Sequence, residues 1–483
     1  MVTHACKLSL PQAHPTSVVS SLLFEPTSNS LALMCTDSSV LLHHPISLSS
    51  PPSPSPSPSS ILIPPPSTSA SFLRLHPSPD PAAARVVFLA AGPHRSSVLL
   101  RAWILRRTEG FAHAQLNIKN GNGKSGASGA ILDLSHGFSI KVAGSINVVV
   151  VYSASAGKIW VLSARLVDWE DGRTGVDLMK CGVIECTVPI CSVFASAGFL
   201  FLGQENGVRV FPLRPIVKGR LSRKERDLVR RRVKEDLNGG LLKNRVKNLK
   251  NGVIQAVSGN SVIYRKNAGI CCNGDLEGVL EDPSDGSEGK AEADYVSAKH
   301  KTVKLRQDSG ELGSLFVAFK VLEVERSKSK PAVPASLKAV SIHALSRQRF
   351  LILDSVGDVH LLSLNNIFLG SELTKHSSTP FKGCHMRRLE CTMKVQMLAV
   401  LPDISTRTQT VWLSDGCHSV HMTSVADMDA ATVGESDKKE EKLMQISAIQ
   451  AIFTSEKIHD IIPYAANGIL ILGQGSIFAY AIA

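Results

Sequence analysis

No apolar run in this chain approaches the 18 or so residues that a membrane-spanning helix needs. Cysteine is sparse, ten in 483 residues, too few for a disulfide-stapled scaffold. No two cysteines form a C-x-x-C pair, so zinc ribbons and thioredoxin-type redox motifs are excluded. Reduced thiols in a nuclear or cytosolic protein are the simplest expectation. There is no Gly-x-Ser-x-Gly nucleophile elbow, and no carboxylate pair or nucleophile–base set stands out. We therefore expect no enzymatic activity and no cofactor. The N-terminus lacks a basic stretch followed by an apolar one, so no secretory signal is expected. It is Ser-rich and acid-poor, which faintly resembles an organelle transit peptide, but Val18–His44 already reads as folded repeat.

What the chain does have is apolar content and positive charge. It is 43% hydrophobic and 19% charged, enough for a large core, with a net charge of +12. A basic balance points to a polyanionic partner only where the charge is concentrated.

The stretch Phe199–Leu213 is an apolar run, a polar turn at Asn206-Gly207 and a second run with alternating large apolar residues. Asn-Gly is a strong hairpin signal, because both residues tolerate the positive φ of a tight turn. The pattern recurs in Leu31–His44, Val86–Leu105, Val148–Leu166, Phe350–Leu364, Thr410–Val425 and Ile469–Ile482. The turns fall at Asp37-Ser38, Gly92-Pro93, Ala156-Gly157, Val356-Gly357, Asp415-Gly416 and Gln474-Gly475. Successive turns lie mostly about 50 to 60 residues apart, with one gap of about 150, a spacing that suits a four-stranded propeller blade with loops. A preceding strand is expected at Val18–Phe24, Val188–Phe194, Leu337–Leu345 and Ile458–Tyr464, and a fourth at Val176–Cys186, Leu389–Met397 and Met444–Phe453. The last unit has only three strands. Ala5–Leu10 has strand character and no partner of its own, so it is expected to complete the final blade, because an open ring would expose sheet edges.

Val18–His44 runs strand, Pro-containing turn, strand, Asp-containing turn, strand. It resembles a degenerate WD40 repeat, and the chain is similar to uncharacterised plant proteins of the WD40-repeat-like class. The Trp-Asp dipeptide of that family is absent from all seven units. The resemblance implies an all-β fold: one seven-bladed WD40-like β-propeller over residues 1–483, closed by its N- and C-terminal strands. It also implies a non-enzymatic scaffold that binds other proteins.

Several segments interrupt the repeat. Residues 47–69 form a Ser/Pro-rich loop in which Ser53, Ser55 and Ser57 each precede proline, a pattern suited to proline-directed phosphorylation or to a plain spacer. Residues 117–129 read as a Gly/Asn/Ser-rich loop. Gly121–Gly126 within it matches G-x-G-x-x-G, but no helix start follows, so a loop is expected rather than a phosphate cradle. The largest interruption, 217–310, is expected between the third and fourth strands of the fourth blade, with Leu315–Val324 as the strand after it.

That insertion is first basic and helical, then acidic. Lys218–Lys250 holds 13 Lys/Arg against 4 Asp/Glu, a net +9, whereas Asp275–Asp294 holds 8 acidic residues and 1 basic. Ser222 and Glu225 suit a capping box, and Leu228, Val229, Val233 and Leu237 then share one helical face. Arg220, Arg223, Lys224, Arg226, Arg230, Arg231, Arg232, Lys234, Lys243, Arg245 and Lys247 are the candidate contacts. They suit an importin as a nuclear-localisation cluster, or the phosphates of RNA or DNA, for instance in ribosome assembly. A solvated helix lying on the propeller would carry the same pattern. Cys384-His385, Cys391, Cys417-His418 and His421 offer zinc-ligand types, but adjacent residues on a strand face opposite ways, so buried or loop thiols are expected and no metal. The expected location is the nucleus, the cytoplasm or both.

Overall fold

The computed structural model describes residues 3–8, 17–46, 59–76, 84–106, 109–119, 124–126, 128–168, 174–218, 302–310, 312, 314–319, 336–364, 384–401, 409–425, 444–445 and 448–482. Among them the only helix is Leu213–Lys218; the rest of the regular structure is β.

The strands gather into successive antiparallel meanders. Val19–Glu25, Ser30–Cys35, Val40–His44 and Ser59–Ile63 form the first sheet, in chain order. Two meanders then join in an eleven-stranded sheet. One comprises Ser69–Leu75, Arg85–His94, Ser97–Arg106 and Gly110–Lys119, and the other Ile140–Gly144, Val148–Ser153, Lys158–Asp168 and Thr174–Glu185. They are linked because Gln115–Lys119 runs parallel to Gly175–Met179. Ser192–Ser196, Phe199–Gln204, Gly207–Pro212 and Leu315–Ala318 follow as a four-stranded sheet. Next come Ala339–Ala344, Arg349–Asp354, Val359–Ser363 and His385–Glu390, with Met444–Gln445 added in parallel at the edge. Met397–Val400, Gln409–Ser414, Ser419–Val425 and Ala448–Phe453 form the penultimate sheet. The closing sheet is Asp460–Ala465, Gly468–Leu472, Ile477–Ile482 and, antiparallel to the last of these, Thr3–Leu8 from the other end of the chain. Cys6 stands opposite Ala479 and Lys7 opposite Phe478.

Period-two alternation explains how such a chain becomes a ring. All six residues of Val148–Ser153 are buried. Val149 and Val151 point into the core shared with the preceding meander, and Val148, Val150 and Tyr152 into the core shared with the next sheet. A strand buried on both faces needs this continuous apolar run, and each fully buried Val stabilises by about 1.5–3 kcal/mol relative to exposure. Comparable cores sit between every successive pair of sheets, and the last joins the closing sheet to the first through Leu470, Leu472, Leu31 and Leu33. The chain is an all-β propeller.

The first strands of neighbouring meanders lie side by side around the centre. They expose edge N–H and C=O groups, which short polar side chains satisfy. Ser69 Oγ accepts from Val142 N at 3.0 Å, Ser71 Oγ accepts from Gly144 N at 2.9 Å, and Ser192 Oγ donates to Ala339 O at 2.8 Å. At the ring's closure, Asp460 Oδ2 accepts from Leu22 N at 2.8 Å.

All seven expected hairpins are present, but two turns are displaced. Gly92 and Pro93 lie inside a strand, opposite Leu99 and Val98, and the turn is at Arg95-Ser96, where Arg95 has φ 55°. Glycine at position 92 answers a close approach, since a Cβ there would lie 2.2 Å from Pro66 O. Gly207 likewise pairs with Gln204, so the tight turn is Glu205-Asn206, with φ 62° at Asn206. A Cβ on Gly207 would lie 2.2 Å from Val317 O on the outer strand.

Other expectations need correction. Ser59–Ile63, placed in the Ser/Pro-rich loop, is the fourth strand of the first sheet, bonded to Val40–His44. Leu389–Met397 divides between two sheets, ending one at Glu390 and starting the next at Met397. The strand expected after the long insertion is present as Leu315–Ala318, paired with Gly207–Val210, and residues 320–324 of the expected stretch lie outside the described residues. The interval 217–310 is not all insertion. Val217 and Lys218 end the helix, and Val303–Arg306 is a strand parallel to Gly182–Glu185 of the preceding meander.

Candidate interaction surface

In an antiparallel meander, the turn between the second and third strands lies at the same end as the link from the fourth strand to the next sheet. Here the two are tied by backbone hydrogen bonds almost all the way round. Ser67 N donates to Ser38 O at 2.8 Å, His136 N to Ser96 O at 2.8 Å, and Cys186 N to Gly157 O at 2.7 Å. Phe319 N donates to Asn206 O at 2.8 Å, Val395 N to Gly357 O at 3.1 Å, and Ile458 N to Cys417 O at 2.8 Å. A rim fastened this way presents its side chains at fixed positions, which lowers the ordering cost of binding.

Carboxylates and one amide set the rim turns. Asp37 Oδ1 accepts from Ser39 N and Oγ at 2.9 and 2.6 Å. Those bonds from Ser39 hold its carboxyl below the usual range. Asp415 Oδ1 accepts from Cys417 N at 2.8 Å, and Gln307 Oε1 accepts from Thr187 N and Val188 N at 2.7 and 3.0 Å. Asp354 is buried. Its Oδ1 accepts from Val356 N and Asp358 N, and its Oδ2 lies 2.9 Å from His360 Nε2. Burial pushes Asp354 up, but the bonds from His360, Asp358 and Val356 outweigh it and hold the carboxyl low. The Asp-containing turn visible in the sequence is therefore a structural device that organises the rim.

The same rim exposes apolar side chains. Phe138 is 95% exposed on a link whose backbone N donates to Ser155 Oγ at 2.8 Å. Val18, Val188 and Val356 are also exposed on its links and turns, and Phe453 closes the outer strand of the penultimate sheet at this end.

The opposite rim carries the turns between first and second strands and the links between third and fourth. At its most polar point, Glu25 is buried and accepts from Thr27 Oγ1, Ser28 N, Ser28 Oγ and, across the sheet boundary, Arg74 Nε at 2.7 Å. Burial pushes Glu25 up, and the bonds from Ser28 and Thr27 with the Arg74 charge bring it below its ordinary value. The described chain breaks off on this rim at Ile46, ahead of Ser53, Ser55 and Ser57, and at Lys218, ahead of the basic segment, at the end of a helix that starts on this rim and buries Ile216 against Gly182. Arg220, Arg223, Lys224, Arg226, Arg230, Arg231, Arg232, Lys234, Lys243, Arg245, Lys247 and the three serines lie outside the described residues.

Within the glycine-rich stretch, Lys124–Gly126 is a short strand paired with Gly129–Ile131, not the loop expected there. Cys384, His385 and Cys391 belong to one sheet and Cys417, His418 and His421 to the next. Among the described residues no group of three or more His, Cys, Asp or Glu is placed to hold a metal ion. Burial pushes the thiols of Cys186 and Cys391 up to about 12 and about 11, which keeps them as unreactive thiols. A cavity of about 310 Å³ between the two meanders of the eleven-stranded sheet is lined by Arg85, Arg106, His113, Asp168 and Thr174 among others. Asp168 there accepts from Thr174 Oγ1 at 2.9 Å, and Arg106 pairs with exposed Glu109. Among the described residues no helix is long and apolar enough to cross a membrane.

Sequence reasoning missed Asp460, Glu25 and Gln307, because the partners that make them matter at the sheet boundaries, Leu22, Arg74 and Thr187, lie 438, 49 and 120 residues away.

No protein-family model matches the chain, and no curated protein matches it. Solved structures with a similar course of chain include the RRP9 WD40 repeats, 9% identical, with a TM-score of 0.42 over 99% of this chain and 97% of that one. U3-55K is 9% identical, with a TM-score of 0.40 over 99% and 98%. The beta-propeller domain of Myceliophteria thermophila Cps50 (Swd1) is 7% identical, with a TM-score of 0.43 over the full length of both chains.

Proposed function

We propose that this chain is a seven-bladed propeller, counting the two meanders of the eleven-stranded sheet as separate blades, and that it works as a non-enzymatic protein-interaction scaffold of the WD40-repeat-like class in the nucleus or between nucleus and cytosol. The observation that carries this reading is the fastened rim, where Phe138, Val188 and Val356 stand exposed on links and turns locked by backbone hydrogen bonds. Exposed apolar groups on a rigid frame suit protein docking, because little entropy is lost on binding. Affinity purification of the wild type and a Phe138→Asp, Val188→Asp double variant tests it. Stable partners with the wild type that are lost from the variant support the scaffold. A protein that purifies alone from its own cells under mild conditions refutes it.

A second reading rests on the net +9 of Lys218–Lys250: an RNA- or DNA-associated factor that grips phosphates through this arm, or an importin-binding nuclear signal. Each phosphate contact releases counterions, so affinity must fall steeply with salt. Reversing Arg230, Arg231 and Arg232 to Glu should abolish that binding, and no affinity for nucleic acid at low salt removes this reading.

A further inference from the structure

The link between the second and third meanders, residues 136–139, is bonded at nearly every position. His136 N donates to Ser96 O at 2.8 Å, and His136 Nε2 lies 3.4 Å from Thr68 Oγ1. Phe138 N donates to Ser155 Oγ at 2.8 Å, and Ser139 O accepts from Ala154 N at 3.1 Å. Just ahead of the link, Ser135 O accepts from Ser153 Oγ at 2.5 Å. Thr68 is itself held, its N donating to Ala91 O at 2.8 Å. Arg101 fastens the residues before it, donating from one nitrogen to Pro64 O, Pro66 O and Ser67 Oγ. From this fixed loop Phe138 stands 95% exposed, more than any other large apolar side chain among the described residues. A bare ring on an anchored backbone has the geometry of an interface hot spot, because a partner buries the ring without first ordering the loop.

Charge on the turns and links around this ring has one sign. His94, Arg95 and Ser96 are exposed on the turn tied to His136. Arg95, at φ 55°, makes no ion pair among the described residues. Neither this turn, nor the turn at residues 154–157, nor the links at residues 64–68 and 136–139 carries a carboxylate. Asp37, Glu205, Asp358, Asp415 and Glu456 stand on other turns and links of the same rim. Asp37, on the turn beside residues 64–68, is engaged with Ser39 N and Oγ. Asp133 and Glu185 lie on strands, where the first is near the Lys180 charge and Lys158 stands opposite the second.

We propose that this sector of the rim takes a segment of a partner protein that sets a bulky apolar side chain against Phe138 and a carboxylate against Arg95. The ring supplies affinity, and the guanidinium supplies the choice of acid over base, since its forked donors match a carboxylate. A nucleic-acid backbone is held by many phosphate contacts, and one arginine is too few for that, so the partner of this sector is a protein. The proposal rests on the scaffold reading and names the chemistry of one of its partners.

The test pans a displayed library of random short peptides against the full chain and measures a labelled synthetic copy of the strongest binder. Enriched peptides should carry a bulky apolar residue flanked by Asp or Glu, and the binder should slow amide exchange in residues 94–96 and 136–139. Phe138→Ala should weaken binding tenfold or more. Arg95→Glu should weaken it at least fivefold and should prefer a copy in which Lys replaces the acids. Both side chains are exposed, so each variant should keep the wild-type urea midpoint. Enrichment of peptides without acids, no enrichment, equal binding by the wild type and Phe138→Ala, or protection elsewhere overturns the proposal. So does binding that tightens when Glu277, Glu281 and Asp282 are neutralised, because the occupant is then this chain's own acidic stretch. A wild type that sediments as a dimer while Phe138→Ala is a monomer overturns it too, because the occupant is then a second copy of this chain. Partners recovered equally with the wild type and Arg95→Glu in affinity purification would leave the scaffold standing and remove only this sector.

Discussion

Asp460 gives the closure of the ring a pH dependence of its own. It lies on the first strand of the closing sheet and accepts across the junction from Leu22 N at 2.8 Å and from Ile461 N at 2.9 Å. Burial is the main influence on it and pushes its carboxyl up to about 6, against an ordinary 3.8. A raised acid binds its proton more tightly in the folded state, so it adds stability as pH falls through 6, until the unfolded chain also protonates near 3.8. Going from pH 7.5 to pH 5, this linkage is worth up to about 1.4 kcal/mol. His43 and His343 act in the opposite sense. Burial lowers both, His343 to about 4, and a lowered histidine costs stability as pH falls below its unfolded value. The informative quantity is therefore the difference between wild type and Asp460→Asn, which keeps an acceptor for Leu22 N and loses the titration. In urea melts, Asp460→Asn should be the more stable at pH 7.5, and its advantage should shrink by up to about 1.4 kcal/mol at pH 5. A difference that does not change with pH would refute the argument.

The buried frame makes further predictions. Trp412 is fully buried and its Nε1 has no hydrogen-bond partner among the described residues, so Trp412→Phe should cost under about 1.5 kcal/mol in urea melts, and Trp412→Ala about 3–5 kcal/mol. Glu25→Ala leaves Ser28 N and Arg74 without their acceptor and should cost about 3 kcal/mol, whereas Thr27→Ala should cost nearer 1 kcal/mol. His43 is buried with both ring nitrogens unpartnered among the described residues, so His43→Leu should be neutral or stabilising by about 1 kcal/mol, with the gain largest below pH 6.5.

Much of this architecture is legible in the sequence because it is local. Runs such as Val148–Tyr152 and Ile469–Leu472 announce strands buried on both faces, and Ser38, Gly157, Asn206, Gly357 and Gly416 mark turns by the positive φ they adopt. The surplus strand near the N-terminus and the missing one at the C-terminus point to each other by elimination. Elsewhere the choice depends on the third dimension. Glycines 92 and 207 look like turn residues, yet their reason is a carbonyl on a neighbouring segment that leaves no room for Cβ. The parallel pairings of Gln115–Lys119 with Gly175–Met179, and of Val303–Arg306 with Gly182–Glu185, join segments far apart in sequence, and periodicity does not encode partners at that separation. The polar contacts at the sheet boundaries, Asp460 with Leu22 and Arg74 with Glu25, are single residues without a motif.

The central claim is that the two ends of the chain meet in one sheet and lock the circle. Amide hydrogen exchange of Ile477–Ile482 in the full chain and in a form lacking residues 1–8 tests this most directly, since Thr3–Leu8 covers one edge of that strand. The account predicts slow exchange in the full chain and exchange faster by tenfold or more in the truncated one, spreading to Gly468–Leu472 and to the core around Leu31 and Leu470. Unchanged protection of Ile477–Ile482 after the truncation would contradict it.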